Sequence, residues 1–127
     1  MKYTILIVDD EQDYLDLLQF TLMRAGFDVV TAQNGAQALN IVQYNRPHLV
    51  ILDLMMPEII GYGVCEILRK SQLGQDIPIL IISACSNEEV RKVGLECGAN
   101  EFLPKTISSR DLIRKISQLL HLDGIAA

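Results

Sequence analysis

Leu49-Val50-Ile51-Leu52-Asp53-Leu54-Met55-Met56-Pro57 decides how this chain is read. Four apolar residues run into one acid, then three more apolar residues lead to a proline. A short unbroken apolar run suits a strand buried on both faces, as in a parallel sheet. A carboxylate at the end of such a strand is not there for packing, because a buried charge is costly unless paired. Asp53 therefore calls for a metal, a cation or a proton.

Upstream, Ile5-Leu6-Ile7-Val8 is a second run of the same kind, and it ends in Asp9-Asp10-Glu11. Leu15, Leu18 and Leu22 then recur at helical spacing, with Gly26 as the stop. Asp28 to Ala32 reads as a short strand. Asn34-Gly35 signals a turn, and a helix follows with Ala38, Leu39 and Val42 on one face. Pro47 breaks that helix. Downstream of the opening stretch, Gly61 and Gly63 loosen a loop or first turn, and Val64, Ile67 and Leu68 mark a third helix. Gln72 to Asp76 connects to a fourth strand, Ile77 to Ile82, whose proline lies at its start, where strands tolerate it. It ends in Ser83. Ser86 and Glu89 have capping-box spacing and open a fourth helix, with Gly98 near its end. Glu101-Phe102-Leu103 is a short fifth strand ending at Pro104-Lys105. Ser108 and Asp111 resemble another cap, before a last amphipathic helix carrying Leu112, Ile113, Ile116, Leu119 and Leu120.

Strand and helix thus alternate five times across short connections. This predicts an α/β domain: a five-stranded parallel sheet with helices on both faces, over residues 1–122, and a short tail at 123–127. If the strand order is 2-1-3-4-5, the switch point lies between the first and third strands, and ligands belong at their carboxyl ends.

The 127 residues are half hydrophobic and carry a formal net charge of -5. That balance argues against disorder and against nonspecific nucleic-acid binding. Cys65, Cys85 and Cys97 are odd in number and lack CxxC spacing, which fits free thiols in a reducing cytoplasm. No apolar run approaches a membrane span, and no signal peptide is expected.

Every strand except the second ends in a polar or charged group. The mouth so formed gathers Asp9, Asp10, Asp53, Ser83 and Lys105. Three carboxylates repel one another, and a hard divalent cation such as Mg²⁺ would relieve that repulsion. A cation, an ammonium and a hydroxyl around one carboxylate make a place where a phosphoryl group could be accepted. Asp53 is then the natural nucleophile.

With these residues, the chain resembles a receiver domain of the two-component response-regulator family over essentially its full length. The matching residues are Asp9-Asp10, Asp53 ahead of Met56-Pro57, Ser83, Phe102 and Lys105. The resemblance implies the flavodoxin-like order 2-1-3-4-5. It implies that Asp53 accepts a phosphoryl group from a histidine kinase or phosphotransfer protein, with Mg²⁺ bound by Asp10, Asp53 and the Met55 carbonyl and with Asp9 helping through water. Ser83 and Lys105 would hold the phosphoryl oxygens. Phe102 would turn inward as Ser83 moves, changing the face of the fourth helix, fifth strand and fifth helix for a partner, including a phosphorylation-dependent homodimer. The domain would be no enzyme beyond its own phosphorylation and dephosphorylation, and would bind neither nucleic acid nor membrane.

Two positions depart from the family pattern. Ile60 precedes Gly61 where an acidic or amide residue is common, and Thr106 follows Lys105 where a cis proline is usual. A cis bond before a non-proline residue costs about 2.5–4 kcal/mol, so this loop either carries that strain or takes a trans path.

Three other readings are weaker. A haloacid-dehalogenase-like phosphatase needs a second Asp two residues after its nucleophile, where this chain has Met55. A flavin binder would have its phosphate repelled by Asp9-Asp10-Glu11. A receiver acting as a phosphorylation-independent interaction module would be favoured by a missing acid or lysine, and neither is missing. His48 and His121 have no partner constellation and read as connector or surface residues.

Overall fold

The computed structural model describes residues 2–53, 61–72, 74–84 and 87–122. Met55, Met56, Pro57, Ile60, Cys85, Ser86 and the tail at 123–127 lie outside them. Five strands, β1 (Thr4–Val8), β2 (Asp28–Ala32), β3 (Leu49–Leu52), β4 (Ile79–Ser83) and β5 (Glu101–Pro104), alternate with five helices. The helices are α1 (Gln12–Arg24), α2 (Gly35–Tyr44), α3 (Gly61–Lys70), α4 (Glu88–Glu96) and α5 (Ser109–Leu119). The strands form one parallel sheet in the order β2-β1-β3-β4-β5, as expected.

The unbroken apolar runs have a simple geometric cause. Successive strand residues point to opposite faces, so a sheet covered on both sides needs apolar residues at every position. Leu6, Val8, Val50, Leu52, Ile79 and Ile81 pack on one face with Ala38, Val42, Val64 and Leu68 of α2 and α3. Ile5, Ile7, Leu49, Ile51, Leu80 and Ile82 pack on the other with Leu15, Leu18 and Leu22 of α1 and Leu112 and Ile116 of α5. β2 is an edge strand and only half-buried.

Local signals set several helix ends. Gly26 stops α1 at φ +98, a conformation glycine adopts without a Cβ clash. Ser108 caps α5 by accepting the Asp111 N–H. Asn34-Gly35 is a helix cap rather than a separate turn: the Asn34 side chain accepts from Gln37 N–H, and Gly35 is the first residue of α2. The cap of α4 is Asn87, which accepts from Val90 N–H, one residue later than the expected Ser86. Ile67 also differs from expectation. It is 47% exposed, because Val64 and Leu68, one turn apart, fill the inward face of α3 and leave Ile67 at its edge.

Arg69 ties α3 to the connections that lead into β4 and β5. Its guanidinium donates to the carbonyls of Ile77 at 2.7 Å and Gly98 at 2.8 Å and to Asn100 Oδ1 at 2.6 Å. Asn100 Oδ1 also accepts the Ile79 N–H, so one arginine ties the start of β4 to the turn before β5. His48 is a connector: its Nδ1 accepts the Thr4 N–H at 2.9 Å, between the starts of β1 and β3.

Candidate functional site

The sheet register builds the site. Val8 pairs with Leu52 and Ser83 with Pro104, so Asp9, Asp53 and Lys105 each lie one residue beyond a strand end. Backbone hydrogen bonds continue the ladder past those ends. Asp9 N–H donates to Ala32 O, Asp53 N–H to Val8 O and Lys105 N–H to Ser83 O. The side chains are thereby fixed by the rigid part of the fold, at the carboxyl ends of the strands.

One carboxylate oxygen from each of Asp9, Asp10 and Asp53 falls within 4.8 Å of the others. Asp9 and Asp53 are buried, at 1% and 4% exposure, while Asp10 is exposed. Lys105 reaches into the group: its Nζ lies 2.9 Å from Asp9 Oδ2, 3.2 Å from Glu11 Oε1 and 3.5 Å from Asp53 Oδ2. Four carboxylates against one ammonium leave three formal negative charges. The Lys105–Thr106 bond is trans, since no cis peptide occurs among the described residues. The lysine therefore reaches the acids without the strained bond.

Burial pushes the Asp9 carboxyl above its ordinary range, and the nearby Asp53 charge adds to this. The Glu11 N–H, donated to Asp9 Oδ1 at 2.9 Å, and the Lys105 ammonium pull it back. Desolvation works against the Lys105 charge too, but Asp9, Asp53 and Glu11 outweigh it and raise its pKa. The charged lysine is thus held by its surroundings.

The donor set fits a hard divalent cation. All three clustered ligands are carboxylates, the group carries excess negative charge, and Asp9 Oδ2 is buried with no aligned hydrogen bond despite its short ion-pair distance to Lys105. Mg²⁺ takes such oxygens and keeps several waters, which the exposed Asp10 side would admit.

The structure brings together Asp9, Asp10, Asp53 and Lys105. Ser83 ends β4, fully buried, with its carbonyl on the Lys105 N–H. Phe102 is buried at 4% exposure and lies opposite Ile81 in the register. A Cβ on Gly94 of α4 would come within 3.2 Å of the Phe102 ring, so the inward ring occupies a slot that a side chain would narrow. Met55 lies outside the described residues.

Two residues of the site went unassigned in the sequence reading. Glu11 is the second-nearest carboxylate to Lys105; the third acid of the Asp9-Asp10-Glu11 run was its only signal. Tyr14 carries the Lys105 ammonium over its ring, 4.5 Å from the centroid. Its signal is its place in the first turn of α1, four residues after Asp10.

Comparison with known proteins gives a consistent match. The family described as the response regulator receiver domain matches residues 5–117. The alkaline phosphatase synthesis transcriptional regulatory protein PhoP of Bacillus subtilis is 39% identical over 127 residues, 100% of this chain and 52% of that protein. The probable transcriptional regulator ycf27 of Cyanophora paradoxa is 44% identical over 119 residues, 94% of this chain and 48% of that protein. A solved structure from Chloroflexus aurantiacus, assigned as a response regulator, superposes with a TM-score of 0.91 at 32% identity, covering 95% of this chain and 99% of that one. The chain spans about half the length of the curated relatives it matches.

Proposed function

Because this chain belongs to the response regulator receiver domain family of two-component signalling, we propose that it is the phosphoacceptor switch of a phosphorelay, with Asp53 as the acceptor. A receiver domain is not an enzyme acting on a separate substrate. The observation that carries the proposal is the buried Asp53 carboxylate, clustered with Asp9 and Asp10 and 3.5 Å from the Lys105 ammonium. A purely structural acid would need one counter-charge, not a surplus of carboxylates around it.

In this reading a carboxylate oxygen of Asp53 attacks the phosphorus of a phosphohistidine on a histidine kinase or phosphotransfer protein. The new O–P bond forms as the N–P bond breaks, and the imidazole nitrogen keeps the electron pair and takes a proton. Asp9, Asp10 and Asp53, with the carbonyl of Met55, would hold Mg²⁺. Bound there, it supplies positive charge against the phosphoryl oxygens. Lys105 exchanges part of its contact with Asp9 and Glu11 for those oxygens. The Ser83 hydroxyl donates to another. The buried setting strengthens each of these contacts relative to water.

Output follows from a two-state element. The phosphoryl group favours the state with Ser83 drawn toward it and holds Phe102 in the buried position it already occupies here, which biases the α4–β5–α5 face toward one partner or a second copy of the domain. The formal net charge of -5 suits a protein partner rather than direct nucleic-acid contact by this domain. Among the described residues no helix is long and apolar enough to cross a membrane; the cytoplasmic site of action in this reading rests on the family match.

The test is incubation with phosphoramidate, whose N–P bond mimics phosphohistidine, with Mg²⁺ or with EDTA. The proposal predicts one hydroxylamine-labile acyl phosphate per chain with Mg²⁺ and none with EDTA. Equal labelling in both, or none in either, would overturn it.

A further inference from the structure

The Lys105 side chain is long and flexible, yet its charge has to be in place when the phosphoryl group arrives. Its three carboxylate contacts are unequal, and the one to Asp53 is the longest at 3.5 Å. The acids alone would draw the ammonium toward Asp9 and Glu11. Tyr14 adds a partner of a different kind. It lies in the first turn of α1, half-buried, and packs against the apolar layer shared by α1 and α5. The ammonium lies 4.5 Å from its ring centroid, well within the distance at which a cation is attracted to an aromatic face. The contact is shielded from water on its protein side: the Lys105 side chain is 16% exposed, and partial desolvation strengthens cation–π attraction. Burial and the nearby Asp9 and Asp53 charges push the Tyr14 phenol up to about 12 despite the opposing lysine, so the ring stays neutral and does not become another anion in the cluster.

We propose that Tyr14 is the positioning residue for Lys105: its ring face restrains the ammonium within reach of Asp53, so that the charge is in place before phosphoryl transfer. This rests on the reading of Asp53 as phosphoacceptor. An aromatic platform does what another acid could not. It holds the cation without competing as a nucleophile, without binding the metal and without adding negative charge that would repel a phosphodonor.

The test compares the wild-type domain with Tyr14→Phe and Tyr14→Leu by two measurements. The first needs no phosphodonor: the Lys105 Hε resonances, followed by NMR, are shifted upfield by the ring current. The second is the rate of Asp53 phosphorylation by phosphoramidate at saturating Mg²⁺. Tyr14→Phe keeps the ring and is expected to keep both the shift and the rate. Tyr14→Leu is expected to lose the shift and to slow phosphorylation about three- to tenfold, the range of a partly desolvated cation–π contact. If the leucine variant does not fold, Tyr14→Met fills similar space without a ring and takes its place. A ring-free variant phosphorylated at the wild-type rate, or Tyr14→Phe slowed as much as Tyr14→Leu, would overturn the proposal. So would Lys105 resonances at ordinary shifts in the wild type. An absence of labelling in the wild type would instead overturn the phosphoacceptor reading, whatever the Lys105 shifts.

Discussion

Replacing Lys105 by methionine keeps most of the side chain's apolar stem and removes only its charge. The loss is concentrated on Asp9. Its carboxylate is 2.9 Å from the ammonium, and the two side chains are 2% and 16% exposed. Breaking a buried pair by removing one partner costs about 3–5 kcal/mol, because the other charge stays behind. The contact with Glu11, which is 67% exposed, adds less than about 1 kcal/mol. Two effects limit the total. Lys105 is partly hydrated, and Asp9 can take up a proton. A destabilisation of about 2–4 kcal/mol at neutral pH is therefore expected for Lys105→Met in EDTA. Asp9 has its pKa raised above its ordinary value of 3.8 in the folded wild-type protein, and losing the lysine raises it further. A group with a raised folded pKa contributes stability that is fully present below its unfolded pKa and lost as pH rises through the folded one. The gap between variant and wild type should therefore narrow as pH falls from neutral toward the unfolded value. Mg²⁺ should narrow it too, since a ligand at 100 times its dissociation constant adds about 2.7 kcal/mol, and the variant, free of the competing ammonium, should bind the ion more tightly. Urea melts at neutral and mildly acidic pH, each with EDTA or Mg²⁺, measure all of this. A variant as stable as wild type in EDTA, or one that Mg²⁺ stabilises less than wild type, would refute the electrostatic account of the site.

Arg69→Met should cost about 2–4 kcal/mol in urea melts, because it strips hydrogen bonds from the Ile77 and Gly98 carbonyls and from Asn100; Arg69→Lys should recover little of this, as an ammonium cannot span the fork. Gly94→Ala places a methyl 3.1 Å from Ile81 Cδ1 and 3.2 Å from the Phe102 ring; the expected cost is about 1–3 kcal/mol, together with weaker Mg²⁺-dependent binding of beryllofluoride, read by the shift in melting temperature. Burial raises both thiols, Cys65 to about 11, but Cys65 is inaccessible while Cys97 is partly exposed, so in a Cys85→Ala background iodoacetamide at mildly alkaline pH should modify Cys97 and spare Cys65 until urea unfolds the domain, as peptide mapping would show.

The central strands were legible in the sequence because burial on both faces leaves an unbroken apolar run that few other elements produce. Leu49 to Leu52 and Ile5 to Val8 carry that signature, and the acids that follow them mark the end of the sheet where ligands bind. The acid cluster and Lys105 could be assigned to one mouth because the parallel topology brings all carboxyl ends to the same edge. Side-chain geometry within that mouth was not legible. Nothing local in Tyr14 says that a lysine 91 positions later will lie over its ring, and nothing in Arg69 says that its acceptors come from two separate turns. Both depend on crossings fixed only when the sheet is assembled. Ser86 and Asn87 are both good cap residues, so the choice between them lay beyond residue preference. Ile67 fits the helical period but falls at the edge of a narrow apolar face.

The proposed switch depends on Asp53 being the residue that carries the phosphoryl group. The most direct measurement treats the domain with phosphoramidate and Mg²⁺, reduces the product with borohydride and maps the modified peptide by mass spectrometry. Borohydride converts an aspartyl phosphate to homoserine and leaves an unmodified carboxylate intact. Homoserine is expected at position 53 alone, dependent on both phosphodonor and Mg²⁺. Homoserine at position 9 or 10 instead, or conversion that survives in Asp53→Ala, would contradict it.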